Sequence, residues 1–290
     1  MEHLTPDLTG RLKLVLRLSL SSWVDHRASS KGAALAFYTL FSMTPILVLA
    51  IVVAGYVFGA EAAQGEIVAQ MQGLAGPNGA QAIQALLAAT QDTSAGMVAT
   101  LVASVLLLVG ATSVFAELKG SLDEMWGIQQ PRHSAFGELL QTRLLSFAMV
   151  LFLAFLLLAS LVVSAILAML EPQAGGALGG YAVVLATTSS LISFGVVASM
   201  FAVIYKTLPD APLSWRDSWV GAAFTAVLFS LGKYAIGLYL ANSGVASGFG
   251  AAGSLIALLL WVYYSAQIFF LGAEFTRHHA LLFGSLRQGD

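Results

Sequence analysis

Ser254-Leu255-Ile256-Ala257-Leu258-Leu259-Leu260-Trp261-Val262-Tyr263-Tyr264-Ser265-Ala266-Gln267-Ile268-Phe269-Phe270-Leu271-Gly272-Ala273 runs for 20 residues without a charged side chain and stops at Glu274. About 20 mostly apolar residues in helical form cross the hydrocarbon core of a bilayer. No water is present there to satisfy a backbone N–H or C=O, so such a segment closes its own hydrogen bonds as a helix. Five further stretches have the same character: Ala33 to Phe58, Ala95 to Ala116, Leu144 to Leu170, Tyr181 to Tyr205 and Trp219 to Leu240. Of the six, only Trp219 to Leu240 contains a charge, Lys233. Long apolar runs without alternating polar residues argue against a β-barrel. The reading is an all-α integral membrane protein with six transmembrane helices.

Composition agrees. The 290 residues are 58% hydrophobic and 10% charged, against about 25% charged in ordinary soluble domains. Mean hydropathy is +0.83. A net charge of −2 gives no basic surface for nucleic acid, so no nucleic-acid partner is expected. The absence of cysteine excludes disulfides, thiolate metal ligands and thiol nucleophiles. The first apolar stretch follows a polar, basic segment and is too long for a signal-peptide core, so a cleaved signal is not expected.

Orientation follows from the basic residues, which favour the cytoplasmic side. Arg11, Lys13, Arg17, Arg27 and Lys31 precede the first span; Lys119, Arg132 and Arg143 lie between spans two and three; Lys206 and Arg216 lie between four and five; Arg277 and Arg287 follow the sixth. The alternate segments 59–94, 171–180 and 241–253 contain no Lys or Arg. Both termini are therefore expected in the cytoplasm of a bacterium, with the chain in its cytoplasmic (inner) membrane. Three parts result: a cytoplasmic N-terminal segment 1–32, a six-helix transmembrane domain 33–273, and a cytoplasmic tail 274–290.

In the N-terminal segment, Thr5-Pro6-Asp7 has the form of a helix start. Leu12, Leu16, Leu20 and Trp23 then share one helical face, while Lys13 and Arg17 lie elsewhere. An amphipathic helix lying in the interface and drawn to anionic lipid heads fits that pattern. Leu12, Leu14, Leu16, Leu18 and Leu20 also alternate as a strand would, but a lone strand beside a membrane leaves its backbone unpaired. Between spans one and two, segment 59–94 reads as a short outer helical hairpin. Ile67, Met71 and Leu74 mark one apolar face, Ile83, Leu86 and Leu87 the other, and Gly76-Pro77-Asn78-Gly79 breaks the helix between them. Such a hairpin either caps the outer mouth of the bundle or rests on the membrane surface. The other outer connections, Gly175 to Gly180 and Gly244 to Gly253, are glycine-rich turns.

Function must then be read from polar groups inside the spans. At about 1.5 Å per residue, Lys233 lies roughly 10 Å below the outer boundary of its helix. Thr187, Thr188, Ser189 and Ser190 reach a similar level on span four, as do Ser42, Thr44 and Pro45 on span one, with Ser160 and Tyr264 nearby. These residues define an expected substrate path: Lys233, Ser42, Thr44, Pro45, Thr187, Thr188, Ser190 and Tyr264. Pro45 frees the carbonyl of Phe41, and broken helices are where transporters place binding sites. Two other readings stand beside these: Lys233 snorkelling to the outer headgroups, and hydroxyls that only tie helices together. At the inner boundary, Glu117, Lys119, Glu274 and Arg277 are the residues of an expected inner gate, or else interface anchors of small energetic weight.

Nothing points to an enzyme. His3, His26, His133, His278 and His279 form no metal-ligand spacing, and there is no G-x-S-x-G, P-loop or dinucleotide fingerprint. No catalytic residue, metal or cofactor is expected.

Several blocks carry a family resemblance. Lys31-Gly32-Ala33-Ala34-Leu35-Ala36-Phe37-Tyr38-Thr39-Leu40-Phe41-Ser42-Met43-Thr44-Pro45 resembles the opening motif of the BrkB/YihY family of bacterial inner-membrane proteins, and Leu122-Asp123-Glu124-Met125-Trp126-Gly127 resembles its second. Ile204-Tyr205-Lys206-Thr207-Leu208-Pro209, Trp215-Arg216, Gly221-Ala222, Gly250 to Leu255, Leu260 to Ser265 and Gly272-Ala273-Glu274 match in order and spacing. The resemblance spans nearly the whole chain and implies a six-helix inner-membrane protein. It brings no settled activity. Members have carried the label ribonuclease BN, which this sequence does not support, and others are called virulence factors or transporters with links to export of envelope lipids. The expectation is a transporter or flippase-like exporter of an anionic or amphiphilic envelope compound, with membrane lipids around it and an anionic lipid or amphiphile as substrate. The alternative is a non-transporting scaffold or assembly factor that holds envelope proteins, with a second copy or an envelope protein as partner.

Overall fold

The structure is a computed structural model that describes residues 8–90, 113, 114, 116–128, 179–242 and 252–287. Most of span two, all of span three with Ser160, His133 and the turns at 175–178 and 244–251 lie outside the described residues. Every regular element among the described residues is a helix. They are α1 (Leu8–Asp25), α2 (Ala28–Phe58), α3 (Ala60–Thr90), α4 (116–125), α5 (Gly179–Thr207), α6 (Trp215–Asn242) and α7 (Gly253–Leu282). Three stretches of them are long and apolar enough to cross a membrane: Ser190–Thr207, Trp215–Leu240 and Gly253–Leu282. The first expected span lies within α2, which is helical from Ala28 to Phe58 through Pro45.

α7 is the spine. It packs against α1, α2, α3 and α6, and α6 packs in turn on α5. Paired residues give its register. Ser22 meets His278 and His26 meets Glu274, while a side chain at Gly32 would meet Gln267. Met43 and Leu47 share an apolar cluster with Leu258. Rising numbers on α1 and α2 thus meet falling numbers on α7. The two helices follow α7 antiparallel along its length, broken at Arg27, whose φ of 53° lies in the left-handed region. α1 does not stand apart from the bundle: Val15 is fully buried, and the Arg11 guanidinium lies 5.1 Å over the Phe283 ring. α1 also exposes Leu12, Leu16, Leu20 and Val24, a stripe at i, i+4 spacing.

α3 is two helices. Gly76, at φ 73° and ψ −175°, interrupts it just before Pro77, where the sequence pattern places the break. Glycine alone takes this backbone without strain. Ile67 from the first arm, and Ile83 and Leu87 from the second, are buried in one cluster with Met43, Leu47 and Ile51 of α2 and Leu258 of α7. The Leu74 side chain is outside the description. The hairpin therefore packs against α2 and α7.

In a bilayer the lipid tails are as apolar as leucine, so helices associate through close packing and hydrogen bonds. The α6–α7 interface uses both, in reciprocal fashion. A Cβ at Gly221 would stand 1.7 Å from Thr276 Oγ1, and one at Gly272 would stand 1.9 Å from Thr225 Oγ1. Each threonine of one helix fills the gap left by a glycine of the other. Beside this contact the buried Tyr205 hydroxyl donates to the Phe269 carbonyl at 2.8 Å and lies 3.0 Å from Thr225 Oγ1. Leu35, Leu122, Met125, Phe201, Ala226 and Phe270 belong to the core around it.

Candidate functional site

The bundle has one strongly polar end, the one that carries both described termini. Three clusters meet there. In the first, the Glu274 carboxylate is fully buried and accepts from His26 Nδ1 at 2.6 Å. Arg277 stands 3.8 Å and His278 3.9 Å from its other oxygen, and Ser22 Oγ is 2.9 Å from His278 Nε2. A buried carboxylate is tolerated when cations and donors surround it; here they come from the turn between α1 and α2 and from the last turns of α7. Glu274 Oε2 and Trp23 Nε1 have no hydrogen-bond partner among the described residues.

The second cluster closes the C-terminal turn. Asp217, nearly buried at the start of α6, accepts from Ser214 Oγ at 2.7 Å, Ser285 Oγ at 2.7 Å and the Ser285 N–H at 2.9 Å. His279 Nδ1 stands 3.4 Å away. Hydrogen bonds to an ionised acceptor are about twice as strong as neutral ones, so this group fastens residues 284–286 to α6.

The third lies on α4. Lys119 donates to Asp123 at 2.9 Å and to Asp210 at 2.6 Å, while Asp123 Oδ1 accepts the Asp210 N–H at 2.9 Å. Burial alone lowers the Lys119 ammonium, but the hydrogen bonds from Asp210 and Asp123 outweigh it and hold it above its ordinary value. On another face of α4, Glu117, Gly120, Ser121 and Glu124 recur at i, i+3, i+4 and i+7. With Lys31 of α2 and Ile128 they line an open cleft of about 390 Å³. Lys31 Nζ pairs with Glu124 at 2.5 Å.

The residues expected at the inner boundary are thus sorted into two places. Lys119 and Glu117 belong to α4, where Lys119 pairs with Asp123 and Asp210; Glu274 and Arg277 belong to the α1–α7 cluster. The residues expected at the outer level are spread more widely. Lys233 is half-buried, with its ammonium 5.1 Å from the ring of Tyr234, itself 67% exposed. Tyr264 lies against Gly232, the neighbour of Lys233. Ser42 is buried in α2, whereas Thr187 and Ser190 of α5 are exposed. The side chains of Thr44, Pro45 and Thr188 are outside the description. No carboxylate pairs with Lys233 among the described residues, and no group of acids and histidines among them has the form of a metal site.

Sequence reasoning missed His26, Asp123, Asp210 and Asp217 as organisers of this end. Asp123 and Glu124 stand in the second motif block, Lys31 opens the first, and Asp210 directly follows Pro209. The blocks that carry the resemblance therefore meet in space: Lys31 with Glu124, Asp123 with the residue after Pro209, Glu274 with the turn before α2.

A chain whose described elements are all helices, three of them with stretches long and apolar enough to cross a membrane, is that of an integral membrane protein. Comparison with known proteins gives its family. A family model described as "Virulence factor BrkB" matches residues 19–283, and this chain belongs to that BrkB/YihY family. Proteins named "UPF0761 membrane protein" are similar to it. One from Verminephrobacter eiseniae is 29% identical over 264 residues, covering 89% of this chain and 60% of that protein. One from Pseudomonas aeruginosa is 28% identical over 257 residues, covering 87% and 59%. One from Acinetobacter baylyi is 22% identical over 249 residues, covering 86% and 58%. The chain spans about three fifths of the length of these relatives. No solved structure matches.

Proposed function

We propose that this protein is a flippase-like transporter of the bacterial cytoplasmic membrane, with six spans and both termini in the cytoplasm, that moves an amphiphilic envelope compound bearing an anionic group. The observation that carries this reading is Lys233, a cation in a membrane-length helix without an acidic partner among the described residues. An ionisable side chain in such a helix is costly and marks a substrate or ion path by default. Its surroundings favour an amphiphile over a water-soluble anion. Leu231, Tyr234, Leu238 and Tyr239 on the same stretch of α6 are exposed. The half-buried Lys233 ammonium lies 5.1 Å from the ring of Tyr234 at the edge of that face, which gives an anionic headgroup a route to it from the lipid phase while its chains stay in the membrane.

The test is reconstitution of the full chain into liposomes carrying a fluorescent anionic phospholipid, with a membrane-impermeant quencher added outside. Fluorescence quenched well beyond one leaflet, and absent from protein-free vesicles, is expected. Quenching that stops at one leaflet at every protein density overturns the reading. Reporter fusions after residue 290 and at 78 test the topology: the first is expected inside and the second outside.

A scaffold reading is favoured by a different observation, the exposed Leu12, Leu16, Leu20 and Val24 stripe on α1. It predicts a stoichiometric partner that co-purifies with the wild type and is lost from a Leu16→Gln, Leu20→Gln double variant.

A further inference from the structure

We propose that the cleft between α2 and α4 binds an alkylammonium group, with Glu117 as its counter-charge. Among the described residues, three side chains in the cleft carry formal charge: Lys31, Glu117 and Glu124. Lys31 and Glu124 neutralise each other at 2.5 Å, with Glu124 exposed at the rim and the Lys31 side chain only 14% exposed. That leaves Glu117, half-buried and without a partner among the described residues, as the uncompensated charge. The described lining of the cleft carries a formal net charge of −1, and the complement of that charge is a cation.

The shape is consistent with a small ligand. About 390 Å³ falls within the range of roughly 300–1,000 Å³ for small-molecule sites. Gly120, between Glu117 and Glu124, lines the cleft without a side chain. Ser121, only 4% exposed, supplies a hydroxyl one helical turn from Glu117, where it can hydrogen-bond a second polar atom of the ligand. The opposite side of α4 is held by Leu118, Leu122 and Met125 in the core and by the Lys119–Asp123–Asp210 bridge. An ammonium suits a carboxylate here because its hydrogen bonds are charge-assisted and a half-buried site is screened less than open water.

The ammonium belongs either to a free amine or to the headgroup of an amine-bearing phospholipid. The second source would make the transported compound zwitterionic, and only that step rests on the transport reading. Binding itself requires no flux, so the two can fail separately.

The experiment uses the full chain in detergent, titrated calorimetrically with ethanolamine, dihexanoyl phosphatidylethanolamine and dihexanoyl phosphatidylglycerol. Saturable binding of an amine ligand, weakened at least tenfold in Glu117→Gln and unchanged in Glu61→Gln on the exposed start of α3, is expected. Binding of both amines identifies a free amine as sufficient; binding of the lipid amine alone identifies the headgroup. Saturation by neither amine, equal binding of the phosphatidylglycerol, or full binding by Glu117→Gln overturns the proposal. If Glu117→Gln fails to purify as a single species, Gly120→Val decides instead. It fills the cleft without changing charge, and undiminished amine binding by it is equally fatal.

Discussion

Replacing Gly272 with alanine puts a methyl group 1.9 Å from Thr225 Oγ1 and 2.6 Å from the Tyr205 hydroxyl. The first distance is about 1.5 Å short of ordinary van der Waals contact. Neither neighbour is the free end of a flexible chain. Thr225 Oγ1 also donates to the Gly221 carbonyl at 2.8 Å, and Tyr205 is held by Phe269 at 2.8 Å. The helices must therefore move apart or the hydroxyl chain must break. Overpacking of this kind costs about 1–3 kcal/mol, and each membrane-buried hydrogen bond lost adds about 0.6 kcal/mol. The expected loss is about 2–4 kcal/mol, read as a shift in the free energy of unfolding when dodecyl sulfate is titrated into protein held in mild detergent. The clash with Thr225 makes a second, sharper demand. Thr225→Ala removes the nearest atom, so the double variant must be more stable than the sum of the two single losses by at least about 0.5 kcal/mol. Gly272→Ala within about 0.5 kcal/mol of wild type, or strictly additive losses, would refute the close reciprocal packing of α6 and α7.

Three further expectations follow from other parts of the molecule. Glu274→Ala leaves His26, Arg277 and His278 around an empty buried position and should cost about 3 kcal/mol or more in the same titration; a change below about 1 kcal/mol would mean the pair is not buried in the membrane-bound protein. Gly76→Ala meets no neighbouring atom, so its effect is purely that of the φ of 73°, and a loss of about 1 kcal/mol is expected; no loss, or a gain, contradicts the break at Gly76. Lys119 is held above its ordinary value of 10.5, so its stabilisation is fully present below 10.5 and is lost only as pH rises through the higher folded value. The melting-temperature gap between wild type and Lys119→Met should therefore be flat from pH 6 to 9; a gap that closes within that window would show that the Asp123 and Asp210 contacts do not hold.

The helical class was legible because the bilayer leaves so few choices: apolar runs such as Ser254 to Ala273 have one way to satisfy their backbone. Gly76-Pro77 announced its break for a local reason, since backbone strain depends only on residues adjacent in sequence. The site was harder to read. Lys119 could be placed at a boundary from its position, but its partner Asp210 lies 91 residues away, and nothing in composition or periodicity pairs the two. His26 and Glu274 are separated by 248 residues and meet only because α1 and α2 run antiparallel to α7. Ser42, Thr187 and Lys233 share an expected height in the membrane, but height leaves the direction of each side chain around its helix undetermined: Ser42 is buried, whereas Thr187 and Ser190 are exposed.

Lipid movement by wild type, Lys233→Arg and Lys233→Met, reconstituted at equal density and compared in the quenching assay, tests the transport account most directly. Wild type and the arginine variant should move anionic phospholipid at similar rates, and the methionine variant at least tenfold more slowly, because the headgroup loses its only cation on that stretch of α6. Equal rates for all three would remove Lys233 from the path and with it the reason for proposing transport.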